Sequence, residues 1–208
     1  MIFYTKVSIA DGLKLYKFVK TIFLKHYLKK YRPFLVFLGK FFLTYLLLIL
    51  AYQVFLSQFD AEGFETDAMT QSVSNQTQDV MAALDYTVEL KPSRGEPSVL
   101  VVVDGDPVVR IIEGCNAISI MILFAAFIVA FSGSFLRTFG YIVAGILAIH
   151  LLNVARIVLL IIGIINYPQY ENLLHGVIFP LIIYGFIFLL WVLWVNKFQR
   201  YAKKNTSS

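Results

Sequence analysis

The chain has 208 residues, 59% of them hydrophobic and 15% charged, with a mean hydropathy of +0.74 and a formal net charge of +5. An ordinary soluble domain needs no such runs of consecutive apolar residues, so the composition predicts an integral membrane protein. The positive charge gathers at the two ends without any nucleic-acid recognition motif, so the lipid bilayer, not nucleic acid, is the expected partner of the basic patches.

Residues 1–33 form a basic N-terminal segment. Met1–Lys40 holds nine Lys/Arg and one acid, Asp11. Between Leu13 and Tyr31, apolar residues are interleaved with Lys14, Lys17, Lys20, Lys25, Lys29 and Lys30, which fits a cytoplasmic interfacial helix with snorkelling lysines or a mobile basic tail. No cleavable signal is expected, because the following apolar run is too long and lacks a small-residue cleavage pattern. Pro33 marks a break. Residues 34–56 are the first expected span, since roughly 20 apolar residues cross the ~30 Å hydrocarbon core.

Residues 57–114 are the expected extracytoplasmic segment, with eleven acids and three bases from Gln58 to Gly114. Thr70–Asp79 has no apolar period and reads as loop or solvated helix. Tyr86–Leu90 is β-like. Ser98–Val103 and Val108–Ile112 read as a small hairpin around Asp104-Gly105-Asp106-Pro107.

Residues 115–196 are expected to form a three-helix membrane core. Its spans are about 117–131, 139–165 and 176–195, separated by Ser132-Gly133-Ser134 with Arg137, and by a short loop at 167–174. Trp191 and Trp194 suit an interfacial belt. Residues 197–208 are a basic tail. The positive-inside rule places both termini and the Arg137 link in the cytoplasm and the acidic segment outside. The expected fold is thus all-α, with about four transmembrane helices and an extracytoplasmic loop containing a small β-hairpin.

Cys115 is the only cysteine. It is a small core residue, an intermolecular linker or a nucleophile. Arg156 and His175 also lie in or beside apolar runs, where ionisable groups are functional candidates. The topology puts Cys115 and His175 at the same outer level. Arg156 is expected about nine residues below the outer end of its span, ~13 Å at 1.5 Å per residue, a gap that snorkelling and tilt reduce.

Cys115 precedes a helix N-terminus, whose dipole favours an anionic sulfur. His175 can exchange a proton. Arg156 can stabilise an anion, hold a carbonyl or support an oxyanion. Together these fit acyl transfer through a thioester. The plainer alternatives are a structural Arg156 paired with a backbone carbonyl or Glu171, and an interfacial His175. Glu113 either orients His175 or contacts Arg156, or ends the hairpin in solvent. Asn153 is expected to orient Arg156 or bond across helices, and Asn116 to do the same for Cys115. His150 is about 15 residues below the outer end, ~22 Å, and is expected to be too deep to serve Cys115. One Cys and scattered His give no ligand spacing, so no metal or cofactor is expected.

The run Glu113-Gly114-Cys115-Asn116-Ala117-Ile118-Ser119, then Asn153-Val154-Ala155-Arg156-Ile157, then His175, resembles the exosortase/archaeosortase family, most closely its small flavobacterial exosortase F subclass. The resemblance covers about Pro33 to the C-terminus. It implies that Cys115 is the nucleophile, Arg156 the catalytic arginine and His175 the catalytic histidine of a multi-pass transpeptidase in a bacterial inner membrane, with its site facing the periplasm. Substrates implied are proteins with C-terminal sorting signals: a short motif, a transmembrane helix and a basic tail. An acceptor nucleophile of unknown identity completes the reaction. The chain differs from many members at Ala117, where they have glycine, and has fewer spans than the eight or so of the larger exosortases. The rival expectation is a non-catalytic membrane partner or assembly factor of a surface-protein export system.

Overall fold

A computed structural model of the protein describes residues 29–59, 65–93, 95–131 and 134–206, with side chains as far as residue 197. Most of the basic segment 1–33 and the Ser132-Gly133 link lie outside the described residues. The chain divides into two compact units, Met1–Lys40 and Phe41–Ser208. Helix α1 is Arg32–Leu56. Pro33 stands in its first turn, where the missing N–H costs no hydrogen bond. The described part of the first unit is the opening of this helix and the residues just before it.

Within the second unit, helix α2 (Ala68–Ala82) falls where the sequence left loop and solvated helix open. Asp67 caps it, accepting from the Met69 and Thr70 N–H groups at 2.9 and 3.0 Å and from the Thr70 hydroxyl at 2.5 Å. Thr70, Val73, Ser74, Thr77 and Met81 are buried, while Gln71, Asn75 and Asp79 are exposed. The Ser74 and Thr77 hydroxyls donate to the Thr70 and Val73 carbonyls, so the polar buried face is satisfied by its own backbone.

Strands β1 (Val88–Pro92), β2 (Ser98–Val103) and β3 (Asp106–Ile112) form an antiparallel sheet in that order. Leu90, Val101 and Val109 lie in register across it. The expected hairpin is therefore two strands of three. Its turn needs only Asp104 and Gly105, both at positive φ (52° and 93°). Asp106 and Pro107 accordingly join β3, and a bulge between Val101 and Val102 absorbs the extra residue.

A 3-10 turn (Glu113–Cys115) leads to helix α3 (Ile118–Ala130), and helix α4 follows at Phe135–Asn166. The expected loop at 167–174 is helical instead. It comprises a 3-10 turn (Pro168–Tyr170), one α-turn (Glu171–Leu173) and the start of a π-turn (Leu174–Ile178), which enters helix α5 (Phe179–Thr206). Leu174 sits against α4 at Gly163, where a Cβ would lie 2.8 Å from Leu174 Cδ1. A glycine there lets the chain reverse closely without an open loop.

Among the described residues, three segments are long and apolar enough to cross a membrane: Arg32–Leu56, Phe135–Asn166 and Pro168–Lys197. The protein is therefore a multi-pass helical membrane protein carrying a small open sheet. Helix α3, with 13 residues, is shorter. One core joins Val73 and Met81 of α2, Val101, Val103 and Ile111 of the sheet, and the α4 face from Val154 to Ile161. A second joins Met121, Phe124 and Ile128 of α3 to Ile149, Ile183 and Ile187. The sheet and α2 thus pack on the half of α4 that leads to Asn166, and α3 packs nearer its start.

Candidate active site

Cys115 lies in a strand–turn–helix connection. Strand β3 delivers the chain to the Glu113–Cys115 turn, and α3 begins three residues after the thiol. Between them Ala117 has φ 63° and ψ 10°. Glycine takes this left-handed conformation freely, whereas an L-residue is opposed by its Cβ at a cost of about 1–2 kcal/mol. Ala117, where the resemblance leads one to expect glycine, thus has a backbone conformation that glycine adopts freely.

Two buried asparagines hold this turn. Asn116 Oδ1 accepts from the Ile118 N–H at 3.0 Å. Its Nδ2 donates to the Tyr52 and Thr70 hydroxyl oxygens, each at 3.2 Å. Asn153 Nδ2 donates to the Cys115 carbonyl at 2.7 Å. Side chains from α1, α2 and α4 therefore fix the backbone on both sides of the thiol. Asn153 thus bonds the backbone of the turn that precedes α3, and makes no hydrogen bond to Arg156 among the described residues.

The Cys115–Asn153 bond sets Cys115 level with Asn153 rather than with the end of α4. One turn along α4 from Asn153, Arg156 is about 4.5 Å further toward the Asn166 end of the helix, beyond the Cys115 carbonyl. No long snorkel is required, because α4 continues well past the level of the thiol. His150 fails to serve Cys115 for a different reason from the depth argument. It lies one turn from Asn153 in the other direction, and its Nε2 pairs with Gln76 Oε1 of α2 at 2.8 Å. The imidazole is engaged by α2 and does not line the cavity beside Cys115.

That cavity is about 530 Å³ and is lined by Cys115, Arg156, His175, Glu171 and the length of β3 from Pro107 to Ile112. It brings together the three residues singled out from the sequence. Cys115 and Arg156 are half-buried, and His175 is exposed on the π-turn. Arg156 Nε is buried without a hydrogen-bond partner. No ion pair joins Arg156 to Glu171 among the described residues, although both line the cavity. No hydrogen bond directly links Cys115, Arg156 and His175 among the described residues. Glu113 is exposed, and its carboxylate lies beside Tyr52 rather than bonding His175 or Arg156.

The supporting residues that sequence reasoning missed are Tyr52, Thr70 and Asp67. Asp67, just before a helix and three residues before Thr70, is a legible N-cap signal. Nothing in the α1 run marks Tyr52. Among the described residues no group of three or more His, Cys, Asp or Glu side chains is placed to hold a metal ion. The chain matches no protein-family model, no curated protein and no solved structure.

Proposed function

We propose that the protein is an exosortase-like cysteine transpeptidase or endopeptidase that cleaves C-terminal sorting signals of exported proteins at the outer face of a bacterial inner membrane. The observation that carries this reading is the shared cavity: Cys115, Arg156 and His175 come from three separate elements and line one space. The Cys115 sulfur attacks the scissile carbonyl, and Arg156 faces the oxygen that becomes negative. His175 takes the thiol proton and returns it to the departing amine as the C–N bond breaks. The thioester on Cys115 then passes its acyl group to an acceptor amine or to water. The free guanidinium supports this role, since a structural arginine would have its partner within the protein.

The accompanying topology has both termini in the cytoplasm and α3 as a short fourth crossing. In the native host, Cys115→Ser is expected to leave the protein in the membrane while precursors ending in a transmembrane helix and basic tail accumulate uncut. Mass spectrometry of precursor C-termini reads this directly. His175→Ala is expected to slow processing by about 10²-fold or more. Normal processing in Cys115→Ser, with normal protein level, removes the enzyme and leaves the assembly-factor role.

A further inference from the structure

The two edges of the sheet are treated differently. At β1, Gln78 of α2 donates to the Val88 carbonyl at 2.7 Å, and the strand carries Lys91 and ends in Pro92. At β3, no described segment pairs with the outer edge. An open strand edge is a row of unmatched N–H and C=O groups, which proteins ordinarily cover or blunt. Here Pro107 blunts the start of the strand, but Val109 and Ile111 pair inward with Val101 and Val99, which leaves the backbone groups of Arg110 and Ile112 facing outward. The same strand lines the Cys115 cavity over its length, with Ile157, Leu160 and Ile164 of α4 among the other lining residues. Past Ile112, β3 runs straight into the turn that holds the thiol.

We propose that an extended peptide segment of the substrate adds to β3 as a fourth strand. Its main chain bonds the free edge, and every second side chain packs toward Ile157, Leu160 and Ile164. This lays its reacting carbonyl beside Cys115. The proposal rests on the cysteine-enzyme reading and states how that enzyme holds its substrate. Strand addition draws affinity from main-chain hydrogen bonds and specificity from alternate side-chain pockets. The cavity volume of about 530 Å³ falls within the range of binding pockets, roughly 300–1,000 Å³.

The single cysteine makes the test direct. Full-length protein in lipid nanodiscs is treated with iodoacetamide, with iodoacetyl-Val-Thr-Val-Thr-amide, and with the same peptide N-methylated at every backbone amide. In each, the Cys115 sulfur forms a C–S bond and iodide leaves. A second pair carries a chloromethyl ketone at the peptide C-terminus, with chloride leaving, to sample the opposite strand direction. Intact-mass spectrometry gives the alkylation rates.

In at least one direction, the unmethylated peptide is expected to react about tenfold faster than its methylated twin. Arg110→Pro, which removes an outward-facing N–H and leaves the ladder to β2 in place, is expected to abolish that difference while leaving the iodoacetamide rate unchanged. Equal rates for both twin pairs in the wild type overturn strand addition while leaving the enzyme reading standing. So does a difference that survives Arg110→Pro. A thiol that iodoacetamide does not reach removes the enzyme reading itself, and strand addition with it.

Discussion

Ala117 is where backbone strain and candidate chemistry meet. Its left-handed conformation is opposed by its own Cβ, and the hydrogen bonds of Asn116 and Asn153 on either side hold the turn in that shape. Ala117→Gly should relieve the steric cost while adding freedom to the unfolded chain. The expected net gain is up to about 1 kcal/mol, read as a rise in the denaturation midpoint in detergent micelles. A β-branched residue has no such escape, so Ala117→Val is expected to lower the same midpoint. Asn153→Ala leaves the Cys115 carbonyl without its buried partner, and a loss of about 1–3 kcal/mol is expected. If Asn153 positions the thiol, the rate of Cys115 alkylation should change as well, and Asn153→Gln should recover part of it. An unchanged rate in folded Asn153→Ala would restrict Asn153 to stability. The cysteine and its asparagines were legible as a group in the sequence. Their partners were not, because Tyr52 and Thr70 reach Asn116 from positions 64 and 46 residues away, with no local signal.

At the scale of elements, α3 and α4 meet at Gly145. A Cβ there would lie 2.3 Å from Phe124 Cζ, a fully buried ring. Small residues let membrane helices approach closely. Gly145→Ala is therefore expected to cost about 1–3 kcal/mol through overpacking, and Phe124→Leu in the same chain should recover much of it. If Gly145→Ala unfolds at the wild-type midpoint, the two helices do not pack this closely. The apolar runs made the long helices plain in the sequence, but α2 was hidden for a physical reason. Its buried positions include Thr70, Ser74 and Thr77, so no apolar period appears, and their hydroxyls are satisfied within α2 and its cap. Strand β1 was visible as β-like residues, but no tight turn joins it to β2. The end of α4 at Asn166 was legible to within a residue, but not that the helix runs on past the thiol, where the sheet and α2 cover it.

The whole molecule then implies where the bilayer ends. Helix α2 exposes Gln71, Asn75 and Asp79, side chains that hydrocarbon would not accept. Yet α2 packs along α4 from Gln76 at His150 to the core at Ile161. On that flank, water is expected to reach as far as about His150. Below it, α4 exposes Val143 and Leu147, which suit lipid. The stretch from Phe135 to His150 would span about 24 Å, and the 13 residues of α3 about 20 Å, against a core of ~30 Å. A short α3 is thus compatible with a crossing if the bilayer thins locally, a modest cost per ångström of mismatch. Single cysteines in a Cys115→Ala background test this. Asn75→Cys and Asp79→Cys should react quickly with a membrane-impermeant maleimide in intact inner-membrane spheroplasts. Leu147→Cys should resist it even after permeabilisation. Ser134→Cys, at the far end of α3, should react only once the membrane is opened. Resistance at Asp79→Cys would place α2 in lipid. Labelling of Ser134→Cys from outside would mean that α3 turns back without crossing, and the proposed cytoplasmic side of the α3–α4 link would be lost.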